Sequence, residues 1–418
     1  MRKGDPKITD YSLKNGVIVT ADKDPGVGAV QVQGNKLGPS GSGVAMDLGG
    51  VSFVYPALIN THDHMRGNYL PRVGPKPGTF YLTWLPWDND LKASEAFMER
   101  SKILPEDIYF FSAYKNLFSG VTTVHDHFPQ SFNRGILPTL PVRAILNYGL
   151  AHEASSYDLK WGDGIEVEHK RAVANNWPFI THLSEGFDDE SMGGVETLER
   201  LGVLDNHCLL VHGIGFSDED IRKVARAGAS ISWCPASNMF MFNVTCKIRK
   251  LLQAGVNVTI GTDSTHTGSC NLLVEIRFAR ELYRKLYGED LPGKRIFEMI
   301  TCNAARAFWL EDSLGSLDEG KLADILVLKA QKDDPYENLV SASMADIELL
   351  TMDGKPIYGE LRFIELLGGS LPQGYTRITV NNRPMFIVGD PASLYRMARE
   401  KVGFKKLLDF LPFEPEVY

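Results

Sequence analysis

"HCLLVHGIGFSDEDIRKVARAGASISWCP", residues 207–235, holds two short apolar runs with one helical pattern between them. "CLLV" and "ASIS" have the length and the branched side chains of buried strands. Between them Ser217 and Asp220 form a candidate capping box, Ile221, Val224 and Ala225 make an apolar stripe at helical spacing, and Gly228 stops the pattern. The unit recurs on both sides. "PFITHLSE" (178–185) precedes it, and "CKIRKLLQAG" (246–255) leads through Ile248, Leu251, Leu252 and Gly255 into "VNVTIGTDS" (256–264). Apolar runs about twenty to thirty residues apart are the mark of repeated strand–helix units around a parallel sheet, and they favour a (β/α) barrel over a doubly wound sheet.

Outward from this region the texture changes twice. Residues 7–48 carry short alternating stretches such as "GVIVT" and "AVQVQGNKL" with turn chemistry between them, which predicts a small antiparallel sheet. Beyond about residue 363, "YTRITVNNRPMFIVGDP" (375–391) predicts a hairpin, and a helical pattern follows from Ala392 to Phe410. The expected division is 1–50 and 315–390 for a small β-sandwich, 51–314 for the barrel, and 391–418 for a helical extension. Phe410, Phe413 and Tyr418 are candidates for a subunit interface in a homo-oligomer.

Polar residues recur where the apolar runs end. His62 and His64 follow "ALIN", His182 and Glu185 follow "PFIT", His212 follows "CLLV", and Asp263 follows "VTIGT". The C-terminal ends of barrel strands converge on one mouth, so these residues are predicted to share a site. One residue separates His62 from His64, which puts both on the same face of an extended strand. Three histidines and a carboxylate form a suitable ligand set for a divalent metal with a position left for water.

"NTHDH", "THLSE", "LLVHG", "CPASN" and "GTDS", in that order, resemble the amidohydrolase superfamily, in the branch of adenosylhomocysteine/methylthioadenosine deaminases, guanine deaminases and triazine hydrolases. "MITCNAARAFWL" (299–310) and "GSLDEGKLADILVL" (315–328) resemble the segment where that family leaves its barrel for a small β-sandwich. The resemblance covers about residues 15–360 and implies an α/β fold, a (β/α)8-type TIM barrel plus a sandwich built from both chain ends. It also implies one divalent ion, zinc before iron, on His62, His64, His182 and Asp263, with no lysine suited to bridging a second ion on the fourth strand. Glu185 matches the family's HxxE and is the expected proton relay. His212 matches the histidine that contacts the attacking water or the oxyanion, and Asp263 is also expected to take a proton. The implied reaction is attack of an activated water on a ring carbon of a small heterocycle, with loss of ammonia. Hydrolysis of a cyclic amide, or displacement of another leaving group, would use the same site; a barrel that serves only as a scaffold would not need Glu185.

"GVTTVHDHF" (120–128) repeats the His-Asp-His tripeptide after a helical pattern of Ile108, Phe111, Tyr114 and Leu117. Asp126 matches the last position of the family's GxTTxxD, with a structural role expected. His125 and His127 depart from that pattern and are expected to line the substrate pocket before holding a second ion. Only about thirty residues separate "VRAILNYGLAHEASSYD" from "WPFITHLSE", so either one strand–helix unit is very short or the barrel is incomplete. His152, in that interval, is a candidate substrate contact. In the Gly/Pro-rich loop 66–90, Trp84 and Leu85 match a family Trp-Leu pair; Trp84 either stacks on a flat substrate or anchors the loop with Trp87. Arg66, Asn68, Asn238 and His266 complete the candidate contacts.

Composition narrows the class further. The chain has 418 residues, 44% hydrophobic and 23% charged, with a net charge of −8, which gives no electrostatic case for nucleic acid or an anionic membrane. No apolar run is long enough to span a bilayer, and the first residues lack the apolar stretch of a secretory signal. Five scattered cysteines without CxxC spacing read as reduced thiols in a cytoplasmic protein.

Overall fold

The computed structural model describes residues 10–39 and 43–414, which fall into two sets of strands. β1 (Tyr11–Ile18), β2 (Gly26–Gln33), β3 (Lys36–Leu37), β4 (Val44–Asp47) and β5 (Ser52–Pro56) come first. β6 (Leu58–Asp63), β7 (Val121–Asp126), β8 (Arg143–Ala144), β9 (Gly149–Glu153), β10 (Phe179–Leu183), β11 (Cys208–His212), β12 (Ser230–Trp233) and β13 (Asn257–Ile260) follow. β14 (Ile325–Lys329), β15 (Ile347–Met352), β16 (Lys355–Glu360), β17 (Tyr375–Val380) and β18 (Arg383–Val388) close the series.

β6 to β13 form the wall of a TIM-type barrel. β9 to β13 pair in parallel in chain order, as do β6, β7 and β8. The seam between β13 and β6 is tied by Asp263 N donating to His62 O at 3.1 Å. Glycine is needed there, because a Cβ on Gly261 would lie 2.6 Å from His62 Cβ. The strand–helix unit at 208–233 forms as its pattern predicts: helix Asp218–Ala227 has the Ser217–Asp220 capping box and stops at Gly228, φ 71°. Its Ile221 and Val224 join the barrel's outer core.

The short interval resolves into one extended run. Residues 145–148 contain no helix; Ile145 N donates to Val124 O at 2.9 Å, and Gly149 N to Pro178 O at 2.8 Å. β8 therefore pairs with β7 and runs on into β9, which pairs with β10. The shortened unit is a missing crossover helix, and the wall stays continuous through it.

Both chain ends share the other sheet, ten strands in the order β17-β18-β16-β15-β14-β5-β1-β2-β3 with β4 beside β1. β5 pairs antiparallel with β14 from Ser52 through Pro56, so the N-terminal contribution reaches to the residue before Ala57, at the edge of the barrel. Tyr11, Leu13, Val32, Val54, Ile325 and Phe386 fill a separate core against this sheet.

The C-terminal expectations need correction. The last helix is Pro391–Val402, shorter than 392–410, because Gly403 takes a left-handed φ of 91° and ends it. Phe410 and Phe413 are buried in their own chain, 6.5 Å from the Phe111 ring and 5.8 Å from the Phe118 ring respectively, so neither is open to a second subunit. Tyr418 lies outside the described residues.

Candidate metal centre and pocket

His62 and His64 project from the end of β6, His182 from β10, His212 from β11, and Asp263 from just beyond β13. The sharp exits of these strands require unusual backbone: Ser184, His212 and Asp263 have φ of 54°, 71° and 52°. A left-handed non-glycine residue costs on the order of 1–3 kcal/mol, and such strain gathers where function fixes the side chain.

His62, His64 and His182 each offer a ring nitrogen, and the three atoms lie within 4.8 Å of one another. His64 Nε2 is 3.2 Å from His182 Nε2 and 3.8 Å from Asp263 Oδ1. His182 Nδ1 donates to the His152 carbonyl at 2.8 Å, which leaves a lone pair on Nε2, the form a metal needs. Burial first, and then the neighbouring imidazoles, hold His62 and His182 far below the ordinary histidine range, so both are neutral bases. Both ring nitrogens of His62 are buried without a hydrogen-bond partner. Two nitrogens on one tetrahedral zinc stand about 3.3 Å apart. The donor set, the His64–His182 spacing and the orphaned His62 nitrogens therefore fit a divalent cation.

Asp263 is prepared as an anion. Its Oδ2 accepts from Ser237 Oγ at 2.6 Å and Thr267 Oγ1 at 3.0 Å, and its Oδ1 from Ser264 N at 2.8 Å. Burial alone would raise its pKa, but His64, His212, His266 and the Ser237 hydroxyl hold it below the usual carboxylate range. Glu185 has the opposite setting: burial, with Asp263 and Glu153 nearby, pushes it well above that range. Two carboxylates whose environments drive them apart are a recurrent basis for dividing ligand and proton-carrier roles. Glu185 Oε1 is 3.5 Å from His212 Nε2, and His212 Nδ1 donates to Asn238 Oδ1 at 2.8 Å.

One helix bolts the two His-Asp-His strands in place. From Pro105–Leu117, Lys115 Nζ donates to Asp63 Oδ2 at 3.1 Å, Asn116 Nδ2 to the same oxygen at 3.2 Å, and Tyr109 OH to Asp126 Oδ2 at 2.9 Å. Asp126 Oδ1 also accepts from Met65 N at 2.7 Å. The two central aspartates thus play matching structural parts. Lys115 is fully buried and also donates to Thr262 Oγ1 at 2.9 Å and to the Asp263 carbonyl at 3.3 Å, which fixes the backbone that carries Asp263.

The amidohydrolase family model matches residues 169–359. The chain is 36% identical over 231 residues to a 5-methylthioadenosine/S-adenosylhomocysteine deaminase of Pyrococcus abyssi, a match spanning 50% of this chain and about half (52%) of that relative's length. A 5'-deoxyadenosine deaminase of Methanosarcina acetivorans is 25% identical, with 85% of this chain and 94% of the relative covered. Among solved structures, a zinc-bound adenosine deaminase from Xanthomonas campestris superposes with a TM-score of 0.68 at 17% identity, covering 95% of this chain and 98% of the other. A zinc complex of atrazine chlorohydrolase from Arthrobacter aurescens gives 0.71 at 19%, covering 94% and 100%. At such identities the two structures speak for the fold.

A cavity of about 290 Å³ opens onto the cluster. Trp84, His152 and His266 line it, as do Arg66, Trp87, Glu185 and His212. Trp84 begins a helix, Trp84–Ala93, where a continuous loop to residue 90 was expected; its Nε1 donates to Glu153 Oε2 at 2.6 Å. His152 is held between Trp84 and Trp161, 4.6 Å from each ring. His266 hydrogen-bonds the Ser264 hydroxyl and meets the Trp87 ring at 5.0 Å.

Four expected pocket residues lie elsewhere. Asn238 is buried behind His212, where its Nδ2 donates to Thr245 Oγ1 at 3.1 Å; it orients His212 and does not form cavity wall. His125 and His127 are enclosed in the barrel interior rather than on the cavity wall, because side chains one apart on β7 share the face on which His62 lies. Asn68 is likewise buried, donating to Asp63 Oδ1 at 2.7 Å. Sequence reasoning missed Lys115, Trp161 and Arg100; an arginine in a helix after a loop has no local signal for a pocket role.

Proposed function

We propose that this chain is a zinc-dependent aminohydrolase that removes the exocyclic amine of an adenosine derivative. The observation that carries the reading is Glu185, a buried carboxyl with a raised pKa, placed beside His212 at the edge of the His62, His64, His182 and Asp263 cluster. The names of the Pyrococcus and Methanosarcina relatives support the substrate class.

His62, His64, His182 and Asp263 would hold the cation, which when bound supplies a water with a pKa lowered from about 15.7 towards 7. Glu185 would take one proton from the attacking water and deliver it to the ring nitrogen, then carry the remaining proton of the added hydroxyl to the departing amine, which leaves as ammonia. Its raised pKa favours carrying that proton. His212, oriented through Nδ1 by Asn238, presents Nε2 towards the site and polarises the oxygen that attacks. Trp84, Trp161 and Phe128 give the cavity flat apolar surface for a purine ring. All five cysteines are free, in keeping with a reducing, cytoplasmic setting, and no helix among the described residues is long and apolar enough to cross a membrane.

Ammonia release from 5'-deoxyadenosine and methylthioadenosine tests the substrate. Glu185→Gln should keep the metal and bind substrate while turnover falls by at least ~10²-fold. Full turnover by that variant would refute the relay.

A further inference from the structure

We propose that the barrel interior holds a second cation site, formed by His62, His125 and His127. The three offer ring nitrogens that all lie within 4.8 Å of one another, and all three residues are buried without measurable exposure. Both nitrogens of each ring lack a hydrogen-bond partner among the described residues.

That condition calls for an explanation, since a buried unsatisfied polar group costs on the order of 1–3 kcal/mol. The other centre accounts for one nitrogen of His62 and for none on His125. Aromatic packing is also insufficient. His125 meets the Tyr148 ring edge-on at 4.9 Å and Phe308 at 6.0 Å, contacts that a phenyl ring would make without orphaned nitrogens. Asp126, between the two histidines, has its carboxylate committed to Met65 N and Tyr109 OH on the opposite face, so the donor set is imidazole alone. Such a set selects zinc, copper or nickel and rejects magnesium and calcium, which require oxygen ligands.

The two sites are contiguous. His62 belongs to both triads, and its ring stands 5.0 Å from His182 and 5.3 Å from His127. Having two ring nitrogens, one imidazole can serve both ions when the second ion replaces the remaining N–H proton, which is released to the buffer. His127 lies 4.0 Å from His182, so the second ion would sit at the inner side of the first and stiffen His62. Its role is that of a structural support behind the catalytic centre.

The test uses the full chain, stripped with a chelator and saturated with zinc chloride or copper chloride alone. Metal analysis after dialysis should find about two ions per chain, and His125→Gln combined with His127→Gln should halve that to about one. Paramagnetic resonance of the copper-loaded wild-type protein should show two ions coupled through His62. One ion per chain in the wild type would overturn the site, as would two ions that survive the double substitution. If the double variant does not fold, the wild-type protein still decides: two uncoupled ions place the second elsewhere and overturn the proposal.

Discussion

Lys115→Met tests the scaffold behind the candidate metal centre. The Lys115 ammonium is fully enclosed and has four acceptors: Asp63 Oδ2 at 3.1 Å, Asn68 Oδ1 and Thr262 Oγ1 at 2.9 Å each, and the Asp263 carbonyl at 3.3 Å. Methionine fills most of the volume, so the cavity contribution is small. What remains is a buried Asp63 carboxylate supported only by amide donors from Asn60, Asn68 and Asn116. Breaking a buried ion pair from one side costs about 3–5 kcal/mol, a large share of the ~5–15 kcal/mol that holds a typical protein folded. Urea unfolding followed by tryptophan fluorescence should show a loss in that range. Asp63→Asn on the Lys115→Met background should recover about 2 kcal/mol or more, because the stranded charge is gone. Lys115→Met also removes one of two donors to the Asp263 carbonyl, leaving Thr262 Oγ1 at 2.9 Å, and should weaken metal affinity by up to about 10-fold. A loss under ~1 kcal/mol, or strict additivity in the double variant, would refute the account of Lys115 as the counter-charge of Asp63.

Glu275 is enclosed, with Oε1 accepting from Ala236 N at 2.9 Å and Oε2 unpartnered, and burial pushes it up from 4.5 to about 7. The native state keeps this proton longer than the unfolded chain does, so stability should fall as pH rises from 4.5 to about 7, by about 3 kcal/mol in all. Glu275→Gln should flatten that slope in unfolding curves; an unchanged slope would assign the proton elsewhere. Arg100 lines the cavity, donates to the Arg66 carbonyl at 3.3 Å, and is pushed down to about 10 by burial and by Arg66 itself. Arg100→Gln should raise KM for substrates carrying a carboxylate by about 10–100-fold while leaving neutral analogues unaffected; equal effects on both would argue for a packing role. Gly261→Ala places a methyl 2.6 Å from His62 Cβ and 2.9 Å from His62 N and should reduce zinc affinity measured by chelator competition, since neither atom can move without shifting the strand that carries His62. Unchanged affinity would mean that the β6–β13 seam relaxes.

The sequence made the barrel legible where one element repeats. Capping residues, an apolar stripe and a stopping glycine mark helix Asp218–Ala227 in local terms, and the structure follows them. The candidate ligands were legible for a related reason: each ends an apolar run, and strand ends in a barrel converge whatever their separation in the chain. Side chains whose meaning depends on distant partners left no such mark. Lys115 reads as a solvated lysine near the end of a helix, yet its partners stand 52 residues before it and 147 after. Asn238 reads as a pocket residue because it follows a strand, but the helix Pro235–Phe242 that begins there turns it behind His212. The C-terminal helix overran in the sequence reading because apolar residues continue past Gly403, where the backbone turns left-handed.

The repeated His-Asp-His tripeptide draws these points together, because its three positions do two different jobs. Strand periodicity sends the aspartates outward and the histidines inward. Outward, Asp63 and Asp126 are gripped by Lys115 and Tyr109, six residues apart on one helix. Inward, His62 meets the histidines of both strands. A helix that clamps both aspartates therefore sets the relative height of β6 and β7, and with it the distances among the four inward histidines. Disturbing the outer clamp should move the inner cluster as a unit, whereas removing one histidine should alter its ligand set and leave the strands where they are.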